Sequence, residues 1–184
     1  MERPAGELIV RVASPGDIDE AVDINDDACE IFAQAGVHFD IGPEHPYARA
    51  ERARWTEAAR DGNALLAEAP GAGTVGLLVM GRVCGLAYLE QLSVRRSAMR
   101  RGIGRHLLLR AIAWAGGEAL WLTTYAHVPW NRPYYERAGF EVVPGASCPA
   151  AIAALLDHER RHLPDPAQRV AMRRDADRAN ASLR

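Results

Sequence analysis

Between Ala64 and Gly104 the hydrophobic pattern turns strand-like and then stops on a glycine turn, a succession few folds accommodate. Residues 64–69 (ALLAEA) and 74–80 (TVGLLVM) are apolar runs separated by PGAG, which reads as a hairpin. A third run, LAYLEQLSV from Leu86 to Val94, follows the GRVCG turn and leads straight into RRSAMRRGIG. Beyond Gly104, Leu107, Leu108, Ile112 and Trp114, with Ala111 and Ala115, predict a helix to about Gly116.

A strand that feeds a glycine turn opening a helix is a ready anion site, with a plain solvated surface turn as the alternative on these residues alone. The first N–H groups of the helix lack internal acceptors and stand at the positive end of its dipole. Gly102 and Gly104 remove Cβ atoms where a phosphate would approach, and Arg95, Arg96, Arg100, Arg101 and Arg105 raise the potential. No acidic side chain stands between Glu90 and Glu118 to offset them. Two commoner phosphate loops are excluded. A dinucleotide fingerprint needs a third glycine where Leu107 stands, and a P-loop needs a lysine in a chain that has none.

The flanking elements follow from period and punctuation. Residues 8–13 (LIVRVA) predict a strand, and SPGD opens a helix with Ser14 as N-cap and Asp17 as the acid of a capping box. Ile18, Ala21, Val22, Ala28, Cys29 and Phe32 give that helix an apolar stripe ending near Gly36, interrupted by Asn25. Ile24 and Ile31 lie beside it. A second helix covers Pro46 to Arg60. ALWLTTY reads as a strand, VPWNRPYYERAGF as a short helix capped by Asn131 and ended by Gly139, and FEVV as a strand. A helix from Pro149 to about His162 stops at Pro164, and RVAMRR is a last strand. The order is β α α β β β α β α β α β.

At 184 residues this is expected to be one domain over residues 1–174, with 175–184 a disordered tail. No apolar run approaches the ~20 residues of a membrane span, and MERPAGELIVRV lacks a signal pattern, so no membrane and a cytoplasmic location are expected. A net charge of −2 argues against broad nucleic-acid contact. Cys29, Cys84 and Cys148 are odd in number and far apart; each is expected to be a small buried hydrophobe.

VRRSAMRRGIG, followed by a helix, a strand and YERAGF, resembles the GNAT-type N-acetyltransferases. Their acyl-CoA motif is Q/R-x-x-G-x-G/A after a strand ending in valine, and a later motif is Y-x-x-x-G-F. In element order the resemblance runs from Arg11 to about Arg174, and it is most specific from Leu89 to Phe140. It implies an α/β (α+β) fold with a mixed, mostly antiparallel sheet flanked by helices, and transfer of acetyl from acetyl-CoA to a primary amine. Arg100, Arg101, Gly102, Ile103, Gly104 and Arg105 would serve the CoA pyrophosphate. Leu92, Ser93 and Val94 would pair with the pantetheine arm, and Tyr135 falls on the family's general-acid tyrosine.

There are two departures from the pattern. Met99 stands at the Q/R position, so its side chain cannot hydrogen-bond phosphate. The asparagine many members carry seven residues before the tyrosine is Val128, leaving Asn131 to contact CoA or simply to cap its helix. Implied partners are acetyl-CoA and an amine-bearing small molecule or peptide; a homodimer stays open, and no metal is implied.

The chemistry suits these residue types. A primary amine of pKa ~10.4 must lose a proton before attacking a thioester, a cost of about 4–5 kcal/mol at neutral pH. Glu90 is the candidate base, with His127 behind it and a solvated strand residue as the plain alternative. The departing thiolate needs a proton that the Tyr135 phenol can give, with Tyr134 as fallback and core packing beside Phe140 as the alternative. An N–H near Leu92, where the family's sheet splays open, would hold the oxyanion.

The sequence also holds HERRH from His158 to His162, a match to the H-E-x-x-H zinc peptidase pattern. The longer motif fails at Asp165 and Gln168, so the expectation is coincidence, with both histidines and Glu159 on a solvated face. Asp23, Asp26, Asp27 and Glu30 are likewise expected on a solvated face. His38, Phe39, Trp55 and Trp130 are candidates to line an acceptor pocket. A non-catalytic acyl-CoA sensor is the alternative function.

Overall fold

The computed structural model describes residues 7–176. Residues 177–184, most of the stretch expected to be a tail, lie outside the described residues. Among the described residues, seven strands are β1 (Ile9–Val12), β2 (Ala64–Ala69), β3 (Gly73–Val83), β4 (Leu86–Val94), β5 (Leu120–Tyr125), β6 (Glu141–Val143) and β7 (Arg169–Arg174). Among the described residues, five α-helices are α1 (Ile18–Cys29), α2 (Pro46–Arg60), α3 (Ile103–Trp114), α4 (Arg132–Glu136) and α5 (Ala150–His162). The strands form one mixed, mostly antiparallel sheet in the order β1-β2-β3-β4-β5-β7-β6, with β4 and β5 parallel. The predicted order of elements is the observed one. No helix is long and apolar enough to cross a membrane among the described residues.

The chain divides into two compact units, one of residues up to 31, 40–80 and 91–111, the other of 32–39, 81–90 and 112 onward. In the first, α1 and α2 bury Ile18, Ala21, Ile24, Trp55, Ala58 and Ala59 against Leu66, Leu77 and Val79. Each large apolar side chain so buried contributes roughly 1.5–3 kcal/mol. Ile24 is fully buried while Val22 only packs against this cluster, so the buried face is rotated from the predicted stripe toward Ile24. Gly76 on β3 explains how α3 lies so close: a Cβ there would stand 3.0 Å from Leu107 and 3.2 Å from Ile103.

The opening of α1 has Ser14 as N-cap and Asp17 as the acid of a capping box, as expected, and reaches the helix through a 3-10 turn. Pro15–Asp17 form a 3-10 turn, and Ser14 donates both its N–H and its hydroxyl to Asp17, each at 2.7 Å. Arg11 donates to the same carboxylate at 2.9 and 3.1 Å, and the Arg11 and Ser14 bonds hold Asp17 well below the usual carboxylate range.

In the second unit, Ile152 and Leu156 of α5 pack on Tyr88, Trp121 and Ala171. A separate cluster joins Val37, Tyr125 and Val128 to Phe32, Phe39 and Trp130. β7 lies between β5 and β6, antiparallel to both, with Thr123 opposite Ala171 and Val142 opposite Met172.

Candidate functional site

The turn between β4 and α3 is built by backbone dihedrals. Arg95 is held to β3 by two bonds, N–H to the Val75 carbonyl at 2.8 Å and Nε to the Thr74 carbonyl at 3.0 Å. Residues 96–98 make one 3-10 turn, and Arg100 and Gly102 then take left-handed φ values of 62° and 83°. Nothing lies within 4 Å of where a Gly102 Cβ would stand. His106 N–H accepts its place in the helix by donating to the Gly102 carbonyl at 3.0 Å. The N–H groups of Ile103, Gly104 and Arg105 thus open α3, where no residue of the same helix precedes them by a full turn.

The arginines divide into two sets. Arg100, Arg101 and Arg105 are exposed and form no ion pair among the described residues. Arg96 is engaged: Asp27 accepts its backbone N–H at 2.7 Å and its guanidinium at 3.2 Å. The backbone bond, with the guanidinium, lowers the Asp27 pKa. The expected solvated acidic face therefore needs correcting, because α1 delivers Asp27 to the turn from 69 residues away while Asp23, Asp26 and Glu30 stay exposed.

Asn25, the polar interruption of the α1 stripe, points at β4. Its Oδ1 accepts from Gln91 Nε2 at 2.7 Å and from Ser93 Oγ at 2.8 Å, and Gln91 Nε2 also reaches Ser93 Oγ at 2.9 Å. Ser93 is buried, with Leu92 and Val94 half-buried on either side. Cys29 lies a turn away, and burial pushes its thiol up to about 12. Cys84, by contrast, is exposed in the β3–β4 turn at φ 48°, so it is not the buried hydrophobe expected.

In the second unit, Tyr135 on α4 meets Tyr134 at 5.2 Å and Phe140 at 5.8 Å, ring to ring and edge-on. The residue is half-buried, and desolvation with Tyr134 nearby raises its phenol above the ordinary value, so it is protonated at neutral pH. Gly139 at φ 86° ends the helix as predicted. Asn131 does not cap with its side chain. Its backbone carbonyl receives Tyr134 and Tyr135, while its Nδ2 donates to Thr124 Oγ1 at 3.1 Å. Val128, at the position where the resemblance led to an expectation of asparagine, is fully buried in the aromatic cluster.

Of the candidate pocket residues, Phe39 and Trp130 join one cluster in which Phe32 touches Phe39, Tyr125 and Trp130 at ring distances of 5.4–6.3 Å. Trp55 is instead core of the first unit, and His38 is exposed. His127 lies 3.7 Å from Asp165. Glu90 is half-buried on β4. A cavity of about 390 Å³, bordered by Gly139, Val143, Ser147, Arg173 and Arg174, includes none of the predicted site residues.

The HERRH expectation is overturned at Glu159. Rather than facing solvent, Glu159 is 6% exposed and accepts Arg169 Nη2 at 2.5 Å and Thr123 Oγ1 at 2.8 Å. Burial opposes the charge of Arg169, but Glu159 outweighs it and raises the guanidinium pKa. His158 and His162 are half-buried, with rings 4.7 Å apart. The signal was in the sequence, since Ile152, Leu156 and Glu159 recur at i, i+4 and i+7 on one helix face.

A family model described as "Acetyltransferase (GNAT) family" matches residues 23–140, well over half the chain. The chain belongs to the GNAT acetyltransferase family. Solved structures share its fold at low identity. PaiA N-acetyltransferase from Thermoplasma acidophilum, in complex with coenzyme A, is 14% identical with a TM-score of 0.64, covering 92% of this chain and 99% of that one. A GNAT-family acetyltransferase from Staphylococcus aureus Mu50 is 13% identical with a TM-score of 0.68, covering 93% and 100%. N-acetylglutamate synthase from Neisseria gonorrhoeae, with coenzyme A and N-acetyl-glutamate, is 16% identical with a TM-score of 0.63, covering 94% of this GNAT chain and 36% of its own.

Proposed function

We propose that this chain is an acetyl-CoA-dependent N-acetyltransferase that moves acetyl to a primary amine of a small molecule or peptide by direct attack in a ternary complex. The observation that carries the reading is the β4–α3 turn. Left-handed Arg100 and Gly102, the opening N–H groups of α3 and three exposed arginines that form no ion pair among the described residues suit a pyrophosphate in a chain of this family. Coenzyme A bound to the PaiA relative supports the same ligand here.

In this reading Arg100, Arg101, Gly102, Ile103, Gly104 and Arg105 hold the pyrophosphate, and Asn131 contacts the same ligand. The backbone of Leu92, Ser93 and Val94 pairs with the pantetheine arm, and the Leu92 N–H holds the oxyanion. Glu90 takes a proton from the amine, the amine nitrogen attacks the thioester carbon, and the C–S pair leaves on sulfur. Tyr135, protonated through burial, returns a proton to that sulfur.

A panel of primary amines incubated with acetyl-CoA, read by free-thiol release, tests the proposal. Amine-dependent thiol release is expected with at least one. A protein that binds CoA yet turns over none of them is the acyl-CoA sensor instead.

A further inference from the structure

Three donors converge on one oxygen between α1 and β4. Asn25 Oδ1 accepts from Gln91 Nε2 at 2.7 Å, from Ser93 Oγ at 2.8 Å and, at a sulfur distance of 3.8 Å, from the Cys29 thiol. Burial keeps the hydrogen on that thiol. An amide nitrogen at the same place would set donor against donor, so the Asn25 carboxamide is held with Nδ2 turned away from the group. Gln91 is held in turn. Its Nε2 gives one hydrogen to Asn25 and the other to Ser93 Oγ at 2.9 Å, which leaves Oε1 as its remaining polar atom.

Among the described residues neither Gln91 Oε1 nor Asn25 Nδ2 forms a hydrogen bond. Both side chains are half-buried and neither atom is sealed from solvent. The three residues all belong to the first unit, as does Leu92, and together they offer one accessible acceptor beside one accessible donor. Gln91 and Ser93 stand on either side of Leu92, and alternation along β4 puts their side chains on one face, where Asn25 of α1 meets them. A network that only packed a helix on a strand would be served better by apolar side chains, or by polar ones bonded at every atom.

We infer that Gln91 Oε1 and Asn25 Nδ2 recognise the acceptor, and that its class is an α-amino carbonyl compound, an amino-acid amide or a peptide N-terminus, rather than a simple alkylamine. The inference rests on the acetyltransfer reading above, which puts the thioester carbonyl at the Leu92 N–H. Gln91 Oε1 takes an N–H of the amine, and Asn25 Nδ2 gives a hydrogen to the carbonyl oxygen on the adjoining carbon. Held at both groups, the amine nitrogen keeps one orientation for its lone pair. Ser93 touches neither group of the acceptor. It is a positioning residue, which fixes the two carboxamides against each other through Asn25 Oδ1 and Gln91 Nε2. An alkylamine has nothing to accept the Asn25 hydrogen and leaves that donor unpaired.

The test compares glycinamide with ethylamine as acceptors, read by thiol release from acetyl-CoA, for the natural protein, Asn25→Asp and Gln91→Met. The natural protein is expected to turn over glycinamide. Each variant's glycinamide-to-ethylamine ratio of kcat/KM is divided by the natural ratio, so the different basicities of the two amines cancel. Asn25→Asp keeps an oxygen for Gln91 and Ser93 and removes only the outward donor. Its ratio is expected to fall about tenfold or more through a higher KM for glycinamide, with acetyl-CoA affinity unchanged by titration. Gln91→Met removes the acceptor that both amines use and is expected to lower both kcat/KM values by about fivefold or more, which decides the matter if Asn25→Asp folds poorly. Turnover confined to amines without an α-carbonyl, an unchanged ratio in Asn25→Asp, full activity in Gln91→Met, or acetyl-CoA affinity falling in step with the rate overturns this recognition and leaves the function intact. No thiol release with any amine overturns both.

Discussion

Asp27 on α1 accepts the backbone N–H of Arg96 at 2.7 Å, tying the entrance of the β4–α3 turn to a helix 69 residues earlier. Arg96 is half-exposed, so the bond stabilises the turn by about 1 kcal/mol rather than more. Asp27→Ala should therefore weaken acetyl-CoA binding by about fivefold, measured by calorimetric titration, with little change in Tm.

Backbone shape should matter more than any one cation in that turn. Gly102→Val places a branched residue at φ 83°, where side chains are disfavoured by roughly 1–2 kcal/mol, and fills the open space that a phosphate would approach. Its loss of acetyl-CoA affinity is expected to exceed that of Arg100→Ala, Arg101→Ala or Arg105→Ala. Gly104→Val, inside the first turn of α3 and without a left-handed φ, should cost affinity through its bulk at the opening N–H groups. The reverse order, read by the same titration, would mean the ligand is held by charge.

Tyr135→Phe is expected to cut kcat by about 100-fold while leaving acetyl-CoA affinity unchanged, because only the proton donor to sulfur is lost. Steady-state kinetics beside a binding titration separate the two. Unchanged turnover would remove Tyr135 from the proton path.

Glu159→Ala leaves Arg169 buried with its charge uncompensated, and should destabilise the fold by about 3–5 kcal/mol, seen in denaturant unfolding. Replacing Glu159 and Arg169 together by apolar residues of similar volume should recover much of that loss.

Asp17 supplies a pH signature. Its folded pKa lies below the unfolded one, so its contribution is fully present above the unfolded value of ~3.9 and is lost as pH falls toward the folded value. Asp17→Asn should lower Tm at pH 7, and the gap from the natural protein should close as pH drops below about 4.

Much of this was legible in the residues. Local period and punctuation placed β2, β4, α2 and β7 at their observed bounds, since each is a short patterned run between glycine, proline or asparagine breaks. What escaped depends on partners distant in sequence. Asn25 looked like a flaw in a stripe until Gln91 and Ser93 arrived beneath it, and Asp27 looked solvated until Arg96 did. Glu159 was obscured by its neighbours: HERRH reads as a charged surface, although the spacing from Ile152 and Leu156 turns that one carboxylate inward to Arg169. Asn131 sat where a cap belongs, but Thr124 gave its amide a tertiary partner instead.

Calorimetric titration of acetyl-CoA into the purified protein, followed by addition of the amine panel with thiol detection, tests the central claim most directly. The account predicts saturable binding, a raised Tm and amine-dependent release of free CoA. A protein that neither binds acetyl-CoA nor changes its Tm in its presence would contradict it.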